Sequence, residues 1–172
     1  MHGEPLGRAT FRYCPEDFNV QEIIDFQPSG QGEHLLLHIK KRDQNTQWVA
    51  GLLAELAGIE RKAVGFCGLK DRFAVATQWF SLYLPGRNVD LEQLQHADFH
   101  ILSSYRHHRK LKRGMHAGNK FKILLRNFDV DQSQLYRRLQ IVERCGVPNY
   151  FAEQRFGREG NNLNRAAELI AA

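Results

Sequence analysis

Hydrophobic and polar positions change period several times along the chain, and each change marks an expected element. From Val75 to Leu84 the residues alternate, with Val75, Thr77, Trp79, Ser81 and Tyr83 on one side and Ala76, Gln78, Phe80, Leu82 and Leu84 on the other. Both sides carry bulky groups, which predicts a central strand covered on two faces. Phe18 to Phe26 alternates less regularly and predicts a twisted or bulged strand. Pro28–Ser29–Gly30–Gln31–Gly32 is a turn and His34 to Lys40 a second strand, so the pair predicts a hairpin. Phe99 to His108 reads as a further strand. Asn119 to Asn127 reads as another, with Phe121 and Ile123 opposed to Lys120 and Lys122.

Helical periods separate these runs. Asn45 and Thr46 are capping residues for a helix to about Ala57, whose Trp48, Val49, Leu52, Leu53 and Leu56 share one apolar face expected in the core. Asp131 to Cys145 predicts an amphipathic helix with Leu135, Leu139 and Val142 on its apolar side. Gly146 stands at its C′ position, and Pro148 blocks continuation. A short helix near Leu91 to Gln95, a short buried strand or turn from Ala63 to Cys67 and a last helix from Asn161 complete the order. Met1 to Thr10 reads as an irregular lead-in. The sum is an α+β domain with an antiparallel-rich mixed sheet and flanking helices.

Composition narrows the class. The 172 residues suffice for one domain with a small appendage, and their apolar and charged contents are ordinary for a globular protein. No apolar run reaches the length of a membrane span, and the Met1 end lacks the apolar core of a signal peptide, so a cytoplasmic protein without a membrane partner is expected. Cys14, Cys67 and Cys145 are scattered and odd in number, which predicts reduced thiols rather than disulfides or a zinc site. Phosphate-cradling loops and the common hydrolase and metalloprotease motifs are absent.

Charge adds a partner class. The net charge is +5 with histidine neutral, which favours a polyanion. Arg106, Arg109, Lys110, Lys112 and Arg113 fall within eight residues together with His107 and His108, a footprint suited to nucleic-acid phosphates or, more plainly, a solvated basic face. No carboxylate or cysteine joins the two histidines at ligand spacing, so no metal is expected. In Gly118–Asn119–Lys120–Phe121 the amide suits a base edge and the ring a stacking surface, although a turn leading into a core strand has the same composition. The loop from Asn149 to Phe156 has a similar make-up. Gly65 to Ala74 places Lys70 and Asp71 after two glycines, at a turn where a sheet can present a carboxylate. Asp71 is therefore the candidate reacting group; a solvated Lys–Asp pair on a surface turn is the plainer reading.

Four blocks in order now carry a resemblance. Gly68–Leu69–Lys70–Asp71–Arg72–Phe73–Ala74 with Gln78 resembles the signature of the TruD family of tRNA pseudouridine synthases. Pro15–Glu16–Asp17–Phe18 is similar to that family's N-terminal block, Arg106 to Arg113 with Gly118–Asn119–Lys120–Phe121 to its basic tract and following segment, and Val147 to Phe151 with Gln154–Arg155–Phe156–Gly157 to its last block. The resemblance implies a pseudouridine synthase-like catalytic domain that isomerises uridine to pseudouridine in tRNA, with uridine 13 the usual bacterial target.

It implies Asp71 as catalytic aspartate, with Phe121 stacking on a flipped uracil and Asn119 hydrogen-bonding near it. Lys70 would act as an electrostatic partner of Asp71, and Arg106, Arg109, Lys110, Lys112 and Arg113 would meet RNA phosphates. It implies no metal or small-molecule cofactor, and a monomer acting on tRNA. The order of bond breaking, through attack at C1′ or a glycal-like intermediate, stays open. An RNA-binding module or inactive fragment using the basic tract is the competing reading. Two departures stand out. The family often has Thr where this chain has Ala76, with Thr77 one step later. Family members are also about twice as long, so residues 1–157 are expected to be the N-terminal part of the catalytic domain, incomplete here, and 158–172 the start of a helical segment leading into an inserted domain.

Overall fold

The computed structural model describes residues 3–148 and 161–171, in two units. Residues 9–128 form the larger one, around a six-stranded mixed sheet of β2 (Phe18–Ile23), β3 (His34–Arg42), β4 (Val64–Phe66), β5 (Val75–Tyr83), β6 (Phe99–His107) and β7 (Gly118–Ile123). The strand order is β6-β3-β5-β2-β7, with β4 also paired to β5. As its two-sided alternation predicts, β5 is central. It is antiparallel to β3 along its whole length, parallel to β2 over Val75–Thr77 and antiparallel to β4 over Phe80–Leu82.

That placement overturns the expected hairpin. β2 and β3 are not neighbours, because β5 lies between them. The turn at Pro28–Gly32 is instead part of a longer crossing, held where the Gly30 N–H donates to the Arg106 carbonyl and the Ser29 N–H to His107 Nδ1. β2 itself is regular and ends at Ile23. Its expected continuation, Ile24 and Phe26, packs against a small cluster of Leu36, Trp79, Cys67 and Leu111.

Register fixes two faces. Val20 stands opposite Ala76, and Ile39 and Leu37 stand opposite Gln78 and Phe80. On this face lies α1 (Thr46–Leu56), capped by the Asn45 side chain, with Val49, Ala50, Leu53 and Ala54 buried against Leu37, Ile39, Phe80 and Leu82. Burial of this kind stabilises by about 1.5–3 kcal/mol per large aliphatic side chain. Trp48, expected in the core, is instead exposed at the helix flank, where its ring meets His96 edge-on. The buried stripe runs through Thr46, Ala50 and Ala54 rather than through the indole.

A second pairing was not legible as a strand. β1 (Thr10–Phe11), which begins at the last residue of the expected lead-in, pairs with β8 (Leu125–Arg126), which continues from β7 after a break at Leu124. The short turn Leu91–Leu94 is 3₁₀ rather than α-helical.

The other unit comprises residues 3–8, 129–148 and 161–171. It holds α2 (Gln132–Cys145), which Asp131 caps by accepting from the Ser133 and Gln134 N–H groups, and α3 (Asn161–Ala171). Gly146 closes α2 at φ 71°, in the left-handed region that glycine reaches at little cost. The block Asn149–Gly157 lies outside the described residues. All three cysteines are free thiols, and no helix among the described residues is long and apolar enough to cross a membrane.

Candidate active site

The loop from Cys67 to Ala74 joins β4 to β5 and carries Asp71. Its path is set from below by two buried polar side chains. Thr46, the first residue of α1, accepts from the Lys70 N–H at 3.0 Å and donates to Gln78 Oε1 at 3.0 Å. Gln78 in turn donates through Nε2 to the Gly68 carbonyl at 2.6 Å. Both side chains are fully buried, so these bonds act in a low-dielectric setting where leaving any of them unmade is costly. The Gln of the sequence signature is thereby explained as a brace for the loop.

Lys70 and Asp71 point in opposite directions. The Lys70 ammonium turns inward and meets Glu22 Oε2 at 2.5 Å, with both side chains almost wholly buried. Glu22 Oε1 also accepts from the Trp79 N–H at 3.1 Å. Lys70 is therefore not placed to touch a substrate, and its ion partner is Glu22 rather than Asp71. The Asp71 carboxylate turns outward, 41% exposed, with Oδ1 3.3 Å from Arg12 Nη2.

Arg12 belongs to no motif, although it stands three residues before the Pro15–Phe18 block. The chain bends there at φ 55°, after β1 has been pinned to β8. The Arg12 guanidinium lies 3.9 Å from the Phe18 ring centroid and 5.1 Å from that of Phe11, a cation–π seat that aims it at Asp71. Below this segment, Arg126 forks onto Asp17 at 2.7 and 2.8 Å. The fork holds the Asp17 carboxyl at about 2, well below its usual range. Lys41 was also missed, hidden in the run Lys40–Lys41–Arg42. It is buried, and its ammonium donates to the Gln44 carbonyl at 2.5 Å and to the Asp71 carbonyl at 3.3 Å.

β7 supplies the remaining candidates. Asn119 pairs with Glu22 and Phe121 with Val20, so both lie on the sheet face of Glu22 and Gln78. Phe121 is 53% exposed, with its ring 5.7 Å from that of Phe18. The Asn119 side-chain oxygen is buried without a hydrogen-bond partner. Asp71, Arg12, Phe18 and Phe121 thus form a chain of neighbours, exposed at Asp71 and Phe121, with the unpaired Asn119 amide oxygen buried on the same sheet face as Phe121.

The basic tract takes another course. β6 starts at Phe99 beside Lys41 and ends with His107 beside His34, at the far end of β3. Arg106 is tied there by bonds from Nη2 to the Arg87 carbonyl and Asn88 Oδ1. His107 is buried against Phe26, and burial holds its imidazole below the ordinary pKa. Leu111 then packs with Leu36 and Trp79 on the face opposite Gln78 and Phe80, and its N–H donates to Ser81 Oγ. Gly65 permits this approach, since a Cβ there would sit 2.3 Å from the Leu111 carbonyl oxygen. Lys110 donates to the Lys62 carbonyl. Arg109, Lys112 and Arg113 remain exposed, Arg109 with its guanidinium 6.0 Å from the Phe26 ring centroid, so three of the five predicted phosphate ligands are accessible and two are spent on main-chain and side-chain oxygens of the protein itself. No cluster of three or more metal-ligating side chains occurs among the described residues.

Comparison with known proteins bears on this arrangement. The family model described as tRNA pseudouridine synthase D (TruD) matches residues 4–171. The tRNA pseudouridine synthase D of Methylococcus capsulatus is 48% identical over 99% of this chain and 48% of its own length; that of Pseudomonas syringae pv. syringae is 47% identical over 99% and 49%. The chain thus spans about half the length of the curated relatives it matches. A crystal structure assigned to tRNA pseudouridine synthase D from Methanosarcina mazei superposes with a TM-score of 0.74 at 28% identity, covering 90% of this chain and 36% of the other. With the signature loop, its buried braces and this breadth of similarity in agreement, the chain belongs to the TruD family of tRNA pseudouridine synthases.

Proposed function

We propose that this chain carries the catalytic aspartate of an enzyme that converts uridine to pseudouridine in tRNA, with uridine 13 as target and Asp71 as nucleophile. The observation that carries it is the outward Asp71 carboxylate, held on a loop braced by Thr46 and Gln78 and paired at 3.3 Å with Arg12. The side chain is solvent-exposed and lies beside a guanidinium, so it is both accessible to a substrate and held in place.

The chemistry follows from the groups present. A carboxylate oxygen bonds to C1′ as the C1′–N1 bond breaks, and uracil leaves as its anion. The base turns within the cleft until C5 faces C1′. The C5–C1′ bond then forms, Asp71 is expelled as carboxylate, the proton on C5 passes to water, and N1 takes up a proton from water in its place. Atoms and charge balance without an external oxidant or reductant. The base must leave its stack to reach Asp71. The exposed Phe121 ring offers it a new stacking surface, and the unpaired Asn119 oxygen accepts from a uracil N–H. Arg109, Lys112 and Arg113 meet the RNA backbone away from the cleft. Lys70 serves from beneath, neutralising Glu22 so that the loop floor carries no lone charge.

The test uses tRNA tritiated at C5 of uridine and the full-length protein. One tritium released per modified tRNA, with no free uracil, is the expected result. Tight binding without release identifies an RNA-binding module instead.

A further inference from the structure

Lys41 carries a buried charge that no step above uses. It projects from β3 between exposed Lys40 and Arg42, on the inner face shared by Ile39 and Gln78. Only 1% of it is exposed. Among the described residues no carboxylate lies within ion-pair distance of its ammonium. Its two partners are main-chain carbonyls, those of Gln44 and Asp71. Gln44 belongs to the turn after β3, where Asp43 takes φ 50° and its N–H donates to the Ala74 carbonyl at 3.0 Å. Two loops, one leading to α1 and one bearing Asp71, are thus fastened to each other, and Lys41 is the fastening nearest the reacting residue.

A fully buried ammonium is an expensive way to join two carbonyls, since a neutral donor would do so without desolvating a charge. What the charge adds is a positive potential directly behind Asp71. We propose that Lys41 is a positioning residue of the isomerisation: its ammonium fixes the main chain of Asp71 against the Gln44 turn and stabilises the Asp71 carboxylate when that group is expelled from C1′. The proposal rests on the assignment of Asp71 made above.

The surroundings give it a pH signature. Burial, with Lys70 adding and Asp71 opposing, brings the Lys41 ammonium down to about 8. Lys70 and Asp71 are the charged groups facing it, with Glu22 behind Lys70; Arg42 and His100 belong to the opposite face of the sheet. The charge is therefore present at neutral pH and lost as pH passes 8.

The test compares Lys41→Met and Lys41→Ala with wild type, in the full-length protein acting on tRNA. Both variants are expected to lower the single-turnover rate at pH 7 by about 10- to 100-fold, in line with misplacement and lost charge stabilisation. Their tRNA Kd should stay within about two-fold of wild type, since Lys41 is buried away from solvent. The wild-type rate should fall above pH 8, and that limb should vanish in both variants. Ethylammonium should restore part of the rate of Lys41→Ala, where the side chain leaves room, and none in Lys41→Met. Amide exchange at residues 71–74 should quicken in both variants while the β3–β5 ladder is unchanged. A rate within two-fold of wild type overturns the proposal, as does a rate loss with an intact alkaline limb, no amine rescue and unchanged exchange. A wild-type protein that makes no pseudouridine overturns the assignment of Asp71 itself; an active wild type with unaffected variants overturns only the role of Lys41.

Discussion

Residues in this fold divide by where their charge is sent. Lys70 and Asp71 are adjacent in sequence, yet one ammonium is buried on Glu22 and one carboxylate faces solvent on Arg12. Removing half of a buried pair leaves an uncompensated charge, so Glu22→Gln is expected to destabilise the protein by about 3–5 kcal/mol in a chemical-denaturation experiment. The double change Glu22→Gln with Lys70→Met removes both charges while keeping an acceptor for the Trp79 N–H, and should recover most of that loss. Asp71 and its signature neighbours were legible because four short blocks stand in order. Arg12, Glu22 and Lys41 were not, because each reaches the site through pairing between distant strands. No local pattern says that Asn119 stands opposite Glu22, or that Lys41 turns inward while Lys40 and Arg42 turn out.

At the scale of elements, the helix beside the site and the central strand were both readable from period and caps. The Asn45 cap and the two faces of β5 are as the sequence predicts. The hairpin failed for a physical reason: a turn signal says where the chain bends but not which strand the returning segment meets, and β5 claims both edges. Trp48 failed because five apolar side chains share a face too wide for one sheet contact. Leu53 lies at the centre of that contact, and Leu53→Ala is expected to cost about 2–5 kcal/mol. The pairing of β1 with β8 depends on the Asp17–Arg126 fork beneath it. Asp17 titrates near 2 when folded and near 3.8 when free. Its contribution is therefore complete above about pH 4 and lost as pH falls toward 2, where both states bind the proton. Thermal melts from pH 5 to 2 should show Asp17→Asn less stable at pH 5, with the difference from wild type shrinking toward pH 2.

For the molecule as a whole, the sheet keeps the candidate site residues of β7 apart from the basic tract. Asn119 and Phe121 lie on one face, while Leu111 anchors the basic tract on the other. Neutralising Arg109, Lys112 and Arg113 together should flatten the dependence of log Kd on log salt by about 2–3, close to one counterion per lost contact. Arg106→Ala should leave that slope unchanged, because its guanidinium is already bound to Arg87 and Asn88. One carboxylate carries the proposed reaction, and one substitution tests it. Asp71→Asn in the full-length protein keeps the size and hydrogen-bonding capacity of the side chain while removing its anion. With C5-tritiated tRNA, the variant should bind with a Kd close to that of wild type and release no tritium. Tritium release by Asp71→Asn at a rate near that of wild type would show that Asp71 is not the group that attacks the sugar.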